Sequence, residues 1–230
     1  MSKIILIPGY MCNKTIWDAQ IPILKKKYSV SISSLRNIAT VDDAVQKIIN
    51  KNTKKFSVIG FSMGGFIAIK LAIEYPEILD KLVLIGTNAR HISQKRKLLL
   101  EKSLTTLNKN NFAKLFYQKN YSSYFSDKDL KNTSYQNTVY SMAKQLGYKT
   151  FLNQTNLIVN RPNQLTKLNK IVSKTLIIRG KNDKLSSNIM NDELNKKIKY
   201  SMYTEIKNSS HFVMIEKPKI FNKIVSNFLS

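Results

Sequence analysis

The sequence is poor in cysteine, glycine, proline and acidic residues. Its one cysteine, Cys12, excludes an intramolecular disulfide. The 7 glycines and 5 prolines form no linker-like or low-complexity stretch, and we find no internal repeat. No apolar run approaches the roughly 18 residues that a membrane-spanning helix needs. The N-terminal stretch MSKIILIPGY is too short for a signal peptide. We therefore expect a cytoplasmic protein without a transmembrane segment.

Acidic residues number 14 against 38 Lys and Arg, so the formal net charge is +24. Only 5 of the basic residues are Arg, whereas nucleic-acid readers rely on Arg for bidentate and stacking contacts. The lysines are also spread along the whole chain. We predict no nucleic-acid partner. Compositional drift toward the amino acids of A/T-rich codons is the favoured explanation of the charge, and an acidic partner is the alternative.

Strand-like and helix-like segments alternate along most of the 230 residues. Apolar or alternating runs typical of strands occupy 3–8, 28–32, 56–60, 79–86, 174–180 and 200–206. Helical patterns occupy 16–26, 40–52, 64–76, 187–197 and 218–229. This order predicts an α/β fold with a doubly wound, mostly parallel six-stranded sheet and right-handed crossovers.

The segment 88–170 interrupts this alternation with polar helical patterns and no clear strand. Because it falls between the fourth and fifth strands, we predict a helical cap over the carboxyl ends of the strands. Ligands bind at that edge in open α/β sheets. The predicted division assigns 1–87 and 171–230 to the α/β core and 88–170 to the cap.

One serine stands between glycines in SVIGFSMGGFIAI, directly after a strand and directly before a helix. GFSMG fits the pattern G-x-S-x-G of a nucleophile elbow, in which glycines let the strand and helix approach closely. Gly60 and Gly64 take those places around Ser62. The bare motif also fits a glycine-rich turn with an incidental serine, but its strand–turn–helix context favours a nucleophile.

A serine nucleophile needs a base, and the sequence has two histidines. His91 precedes any suitable acid. His211 follows the last strand, where the chain order nucleophile, acid, base that accompanies this turn requires it. The acid must lie between them, at the end of a strand. Asp183 follows the fifth strand in LIIRGKNDKLS and is the best candidate, with a turn or helix-capping role as the alternative.

Two backbone amides are candidates for stabilising an oxyanion. Met63 begins the helix after the serine, where its N–H lacks an intrahelical partner. The second donor should come from the loop after the first strand, PGYMCN, and we assign it to Tyr10. Met11 is the alternative donor and a candidate substrate contact.

The motifs LIPGYMCNKTIW, GFSMGG, RGKND and SSHFVMIEKP together resemble the α/β-hydrolase superfamily, in particular small capped bacterial carboxylesterases. The resemblance spans the whole chain and implies a serine esterase that needs no metal or cofactor. There are two departures. Tyr10 follows Pro8-Gly9 where many members have His-Gly. The chain also begins at the strand that is third in full-length members, which predicts a smaller sheet.

The cap segment NQTNLIVNRP resembles part of the same esterase group. Arg161 within it would meet a substrate carboxylate or phosphate; an exposed Arg before a proline is the equal alternative. We expect Cys12 and Trp17 to be packing residues. Four cap aromatics are expected to pack within the cap or to line an acyl pocket, namely Tyr117, Tyr121, Tyr124 and Phe125.

The favoured function is hydrolysis of carboxylic esters of small or acyl substrates through an acyl-enzyme. One alternative keeps the triad but acts on an acidic acyl carrier protein, as a thioesterase or as a pimeloyl-carrier methyl ester esterase. C–C bond hydrolases share the triad and are not separated from these. A non-catalytic ligand-binding protein is the alternative from another class.

Overall fold

Six parallel strands form one sheet in the computed structural model, which describes residues 1–52 and 54–230. The strands are β1 (Lys3–Ile7), β2 (Ser29–Ile32), β3 (Phe56–Phe61), β4 (Leu79–Ile85), β5 (Lys174–Gly180) and β6 (Ser201–Ile206). Their order is β2-β1-β3-β4-β5-β6, and each neighbouring pair is parallel. The predicted six-stranded doubly wound sheet is confirmed.

Burial along the strands explains their sequence patterns. All six residues of β3 are buried, because the strand lies in the middle of the sheet between two layers of helices. β6 lies at the sheet edge and has one buried residue, Ile206. The central position of β3 places the serine that follows it in the middle of the carboxyl edge of the sheet.

Ten α-helices occur in the described ranges. They are α1 (Ile21–Leu24), α2 (Val41–Ile49), α3 (Met63–Glu74), α4 (Gln94–Thr106), α5 (Phe112–Tyr124), α6 (Thr133–Leu146), α7 (Tyr148–Val159), α8 (Asn188–Lys197), α9 (Val213–Glu216) and α10 (Pro218–Leu229). The helices α4–α7 form the predicted insertion between β4 and β5. Its division into a separate domain, with boundaries at 87/88 and 170/171, stays a prediction. None of the described helices combines the length and apolar character needed to cross a bilayer.

The single helix predicted over 16–26 is wrong. A 3-10 turn, Lys14–Trp17, comes first, and the four-residue helix α1 follows. Pro22 lies at the start of α1, where its missing N–H needs no partner; inside a longer helix it would remove a hydrogen bond. The apolar spacing that suggested one helix instead buries Ile16, Trp17 and Leu24. Cys12 is buried too, in agreement with its predicted packing role.

The start of α3 packs directly against the end of β1. A Cβ added to Gly64 would fall inside contact distance of the carbonyl oxygens of Ile7 and Pro8. These are backbone atoms of a buried strand end, so they have little freedom to move aside. The contact therefore brings the loop after β1 next to Ser62, and only glycine permits it.

We predict that Gly64→Ala destabilises the protein by about 2 kcal/mol or more, because the added methyl group forces α3 away from β1. Helix propensity alone predicts the opposite sign, a gain of up to about 1 kcal/mol. Urea unfolding monitored by circular dichroism shows whether the substitution lowers or raises the stability. Ala72→Gly in the same helix gives the scale of a propensity change together with the loss of one buried methyl group. A midpoint for Gly64→Ala at or above that of the wild type would contradict the contact.

Candidate active site

Ser62 occupies a strained turn between β3 and α3. Its backbone has φ 52° and ψ −114°, a region that non-glycine residues rarely adopt and that costs on the order of 1–3 kcal/mol. Two hydrogen bonds hold the turn, one to the end of β4 and one from the loop that follows it. The Ser62 N–H donates to the carbonyl oxygen of Ile85 at 2.8 Å, and the Thr87 hydroxyl donates to the Ser62 carbonyl oxygen at 2.8 Å. The half-buried hydroxyl lines a pocket.

The structure brings together the three side chains that the sequence singled out. His211 Nε2 lies 3.0 Å from Ser62 Oγ, and His211 Nδ1 lies 2.8 Å from Asp183 Oδ2. His211 is 3% exposed and Asp183 is 4% exposed, so solvent competes little for these hydrogen bonds. A candidate nucleophile, a candidate base and a carboxylate that could orient it are thus in hydrogen-bond contact in the order that acyl transfer needs.

Asp183 is oriented by its own loop. Its Oδ1 accepts the N–H groups of Leu185 at 2.8 Å and Ser186 at 3.0 Å, which leaves Oδ2 for His211. The buried guanidinium of Arg179 donates to the carbonyl oxygens of Ser186 and Asp183 and forms an ion pair with Glu205. No role for Arg179 is predicted from the sequence, although it begins the motif RGKND. An arginine within a predicted buried strand, four residues before the candidate acid, is the signal that could have identified it.

The loop that carries His211 is held from two sides. The backbone N–H of His211 donates to the carbonyl oxygen of Tyr124 at 3.1 Å. The last residue of α5 therefore contacts the candidate base directly. The centroid of the Phe61 ring lies 4.9 Å from that of the imidazole. On the other side, both carboxylate oxygens of Glu216 accept the Ser210 N–H at 2.9 Å. Glu216 is not predicted from the sequence as a site residue, although it follows His211 by five residues.

The two candidate oxyanion donors lie on opposite sides of the contact between β1 and α3. Met63 is the first residue of α3, and Tyr10 lies in the loop after β1. Both line the same pocket as Ser62, and neither amide donates a hydrogen bond within the part of the chain that the structure describes. Their role in holding an oxyanion stays a prediction.

Helix α7 holds the loop after β1. The Met11 N–H donates to Gln154 Oε1 at 2.8 Å, and the hydroxyl groups of Tyr10 and Thr155 are 2.6 Å apart. Burial raises the pKa of the Tyr10 hydroxyl far above its usual range, so it stays neutral. The amide of Met11, the alternative oxyanion donor, is therefore already occupied. Gln154 is not predicted from the sequence as a site residue, because no pattern of neighbouring residues connects it to Met11.

The pocket beside Ser62 has a volume of about 480 Å³ and is strongly basic. Its cationic lining residues are Arg90, Arg96, Arg161 and Lys184. Arg161 therefore lies in the pocket, as its predicted substrate contact requires, whereas Met11 is not among the described lining residues. Of the four cap aromatics, Tyr124 lines the pocket and is stacked near His211, with 6.0 Å between ring centroids. Tyr121 and Phe125 are buried in cap packing.

A family model described as alpha/beta hydrolase fold matches residues 8–218. The chain belongs to the alpha/beta hydrolase fold family. It is similar to the pimeloyl-[acyl-carrier protein] methyl ester esterases of Legionella pneumophila (strain Corby), 30% identical over 95 residues, and Aliivibrio fischeri, 28% identical over 102 residues. These alignments cover 39% and 41% of this chain and only 40% of each relative. The chain therefore spans less than half the length of these curated relatives.

Solved structures agree with this family fold. A malate-bound thermophilic esterase from Thermogutta terrifontis superposes with a TM-score of 0.90 at 18% identity, covering 100% of this chain and 89% of that one. The enol-lactonase from Burkholderia xenovorans LB400 gives a TM-score of 0.87 at 18% identity, covering 99% of this chain and 91% of that one. At this identity the likeness concerns the fold.

Glu216 has the most perturbed carboxyl near the candidate site. Burial, and then the neighbouring charges of Asp129 and Asp183, raise its pKa from 4.5 to about 7, against the opposing effect of the Ser210 N–H. A carboxyl whose pKa is raised in the folded state contributes stability below its unfolded pKa. That contribution is lost as the pH rises through the folded pKa.

We predict that Glu216→Gln flattens the stability profile between pH 4.5 and 7. The wild type should lose roughly 3 kcal/mol relative to the variant over this window, because each tenfold change in acid dissociation is worth about 1.4 kcal/mol. Glutamine can still accept the Ser210 N–H. Urea unfolding at pH 4.5, 6 and 8 measures the effect, with Glu77→Gln, an exposed carboxylate, as the control. Parallel profiles for wild type and Glu216→Gln would refute it.

Proposed function

We propose that the protein hydrolyses carboxylic esters, with Ser62 as nucleophile, His211 as general base and acid, and Asp183 as the group that orients His211. The observation that carries the proposal is the continuous pair of hydrogen bonds, 3.0 Å and 2.8 Å, from Ser62 through His211 to Asp183 beside an open pocket. The proposed chemistry needs no metal or cofactor.

The reaction follows from this geometry in two halves. His211 Nε2 accepts the hydroxyl proton as Ser62 Oγ attacks the ester carbonyl, and Asp183 stabilises the resulting imidazolium. His211 then gives the proton to the departing alkoxide, which leaves as the alcohol and creates an acyl-enzyme. Water, activated by His211, attacks the acyl carbon and releases the acid and free Ser62.

We assign the stabilisation of the negative charge that develops on the carbonyl oxygen to the amides of Met63 and Tyr10. Two features support this assignment. Both amides are unoccupied in the described part of the chain, and both residues border the pocket of Ser62. The bonds from Gln154 and Thr155 in α7 hold the Tyr10 loop before substrate arrives. Preorganised donors avoid reorganisation at the moment of reaction.

We predict that Ser62→Ala abolishes both covalent labelling by a fluorophosphonate probe and the hydrolysis of short p-nitrophenyl esters, by a factor of about 10³ or more. Cys12→Ser is the matched control, since it removes a thiol that also lines the pocket and should retain labelling. Wild-type protein that is neither labelled nor active would exclude this chemistry and would favour a non-catalytic ligand-binding protein. C–C bond hydrolysis requires a separate substrate test.

An acyl-carrier-protein ester is the second candidate substrate. The curated relatives that carry this activity support it, as do the net charge of +24 of the whole chain and the basic lining of the pocket. Arg96 borders the pocket, and the adjacent Lys95 is exposed on the same turn of α4. An acidic carrier protein would approach this side of the molecule favourably, and salt would weaken that attraction.

If the carrier docks here, kcat/KM for a methyl ester of acyl carrier protein should fall about tenfold between 25 and 400 mM NaCl, because salt screens exposed charges. A free methyl ester should respond much less. Lys95→Glu should weaken the carrier reaction, and Lys219→Glu on α10, which contributes no described residue to the pocket, is the matched control. Turnover of the carrier ester that is indifferent to both salt and Lys95→Glu would argue for small free esters.

A further inference from the structure

The cations of the pocket fall into two groups. Arg90 is paired with Glu193, with Nε 2.9 Å from the nearer carboxylate oxygen, and Lys184 Nζ lies 2.9 Å from Asp127. Arg96 and Arg161 form no ion pair with any residue of 1–52 or 54–230. The pocket of the proposed nucleophile therefore contains two guanidinium groups without a compensating carboxylate.

Arg161 is held in a defined place by its neighbours. Its guanidinium carbon lies 4.8 Å from the centroid of the Phe66 ring, a cation–π contact. Nη2 donates to Asn88 Oδ1 at a long 3.3 Å, and the buried Nε has no acceptor in the described chain. A guanidinium offers five N–H donors, so most of its hydrogen-bonding capacity is unused. The side chain is thus held in a defined position, but most of its N–H groups lack an acceptor in the described chain.

The charges of Arg161 and Arg96 favour the binding of an anion. Burial, and then the charge of Arg96, lower the pKa of Arg161 to about 10, so the group is still protonated at neutral pH. Two like charges in a partly desolvated pocket repel each other, and an unpaired buried charge is costly. A carboxylate between them would relieve both penalties, and an Arg–carboxylate contact is frequently bidentate.

We propose that Arg161 and Arg96 bind a carboxylate of the substrate, so that the preferred substrates are monoesters of short dicarboxylic acids. The inference rests on the proposed esterase function of the same pocket. Phe66, whose ring contacts the Arg161 guanidinium, follows Ser62 by four residues, about 6 Å along the axis of α3. Ser62 and Arg161 line the same pocket, so a substrate that reaches both would have its ester and its free carboxylate at opposite ends of one short chain.

Matched methyl esters test the substrate class. Monomethyl succinate, glutarate, adipate and pimelate are compared with methyl butanoate, pentanoate, hexanoate and heptanoate, in which a methyl group replaces the carboxylate. We expect at least one acid to exceed its neutral partner about tenfold or more in kcat/KM. Equal turnover of every pair would overturn the inference and leave the esterase proposal intact. No turnover of any ester would instead count against the esterase proposal.

Variants identify the groups responsible. Arg161→Gln and Arg96→Gln should each lower the acid-over-neutral ratio about tenfold, mainly through KM. Arg161→Lys keeps the charge but loses the bidentate fork, so an intermediate ratio is expected. Arg90→Gln is the matched control, because it removes a charge from the same pocket that Glu193 already compensates. An equal fall in the ratio for Arg90→Gln would mean that the general electrostatic potential of the pocket, and not a specific contact, causes the preference for acids. That result would overturn the proposed subsite.

Binding provides a readout independent of turnover. Calorimetry with the Ser62→Ala protein should detect saturable binding of glutarate or adipate that Arg161→Gln weakens about tenfold. Inorganic phosphate is the second probe, since a phosphate would use the same donors. Phosphate binding without dicarboxylate binding would overturn the carboxylate assignment. Dicarboxylate binding that Arg161→Gln leaves unchanged would overturn the site.

Discussion

The strained turn at Ser62 is the constraint on which the rest of the site depends. A serine at φ 52° is unfavourable alone, so the surrounding structure must hold it. The hydrogen bonds of Ser62 with Ile85 at the end of β4 and with Thr87 just after it do so, and the close contact of Gly64 with the end of β1 does so from the other side. The same contact places the loop after β1, with Tyr10, next to the hydroxyl. Strain, close packing and the candidate oxyanion donors thus have one structural origin.

The inserted helices do more than cover the pocket. α5 accepts the backbone N–H of His211 through Tyr124, and α7 holds the loop after β1 through Gln154 and Thr155. Two candidate catalytic elements of the α/β core are therefore oriented by the insertion. A change of sequence in α5 or α7 would alter both the shape of the pocket and the positions of the reacting groups.

The positive charges at the pocket differ from those on the rest of the surface. A net charge of +24 spread over a surface acts as a general field that salt screens. Arg96 and Arg161 differ from that background, because they share one pocket, are partly desolvated and have no carboxylate partner in the described residues. Arg90 and Lys184 border the same pocket but are paired. Local pairing, and not the total charge, therefore separates the proposed carboxylate site from the rest of the basic surface.

The sequence by itself determined the six strands, the helical insertion and the order of Ser62, Asp183 and His211, because apolar periodicity and turn chemistry are properties of neighbouring residues. Only the tertiary structure decided which distant groups support them. The bond between Met11 and Gln154 joins residues 143 positions apart, and no local pattern encodes such a pair. The placing of Arg96 and Arg161 in one pocket was likewise decided by packing. Local rules specify elements, whereas contacts between elements depend on how all of them fill one core.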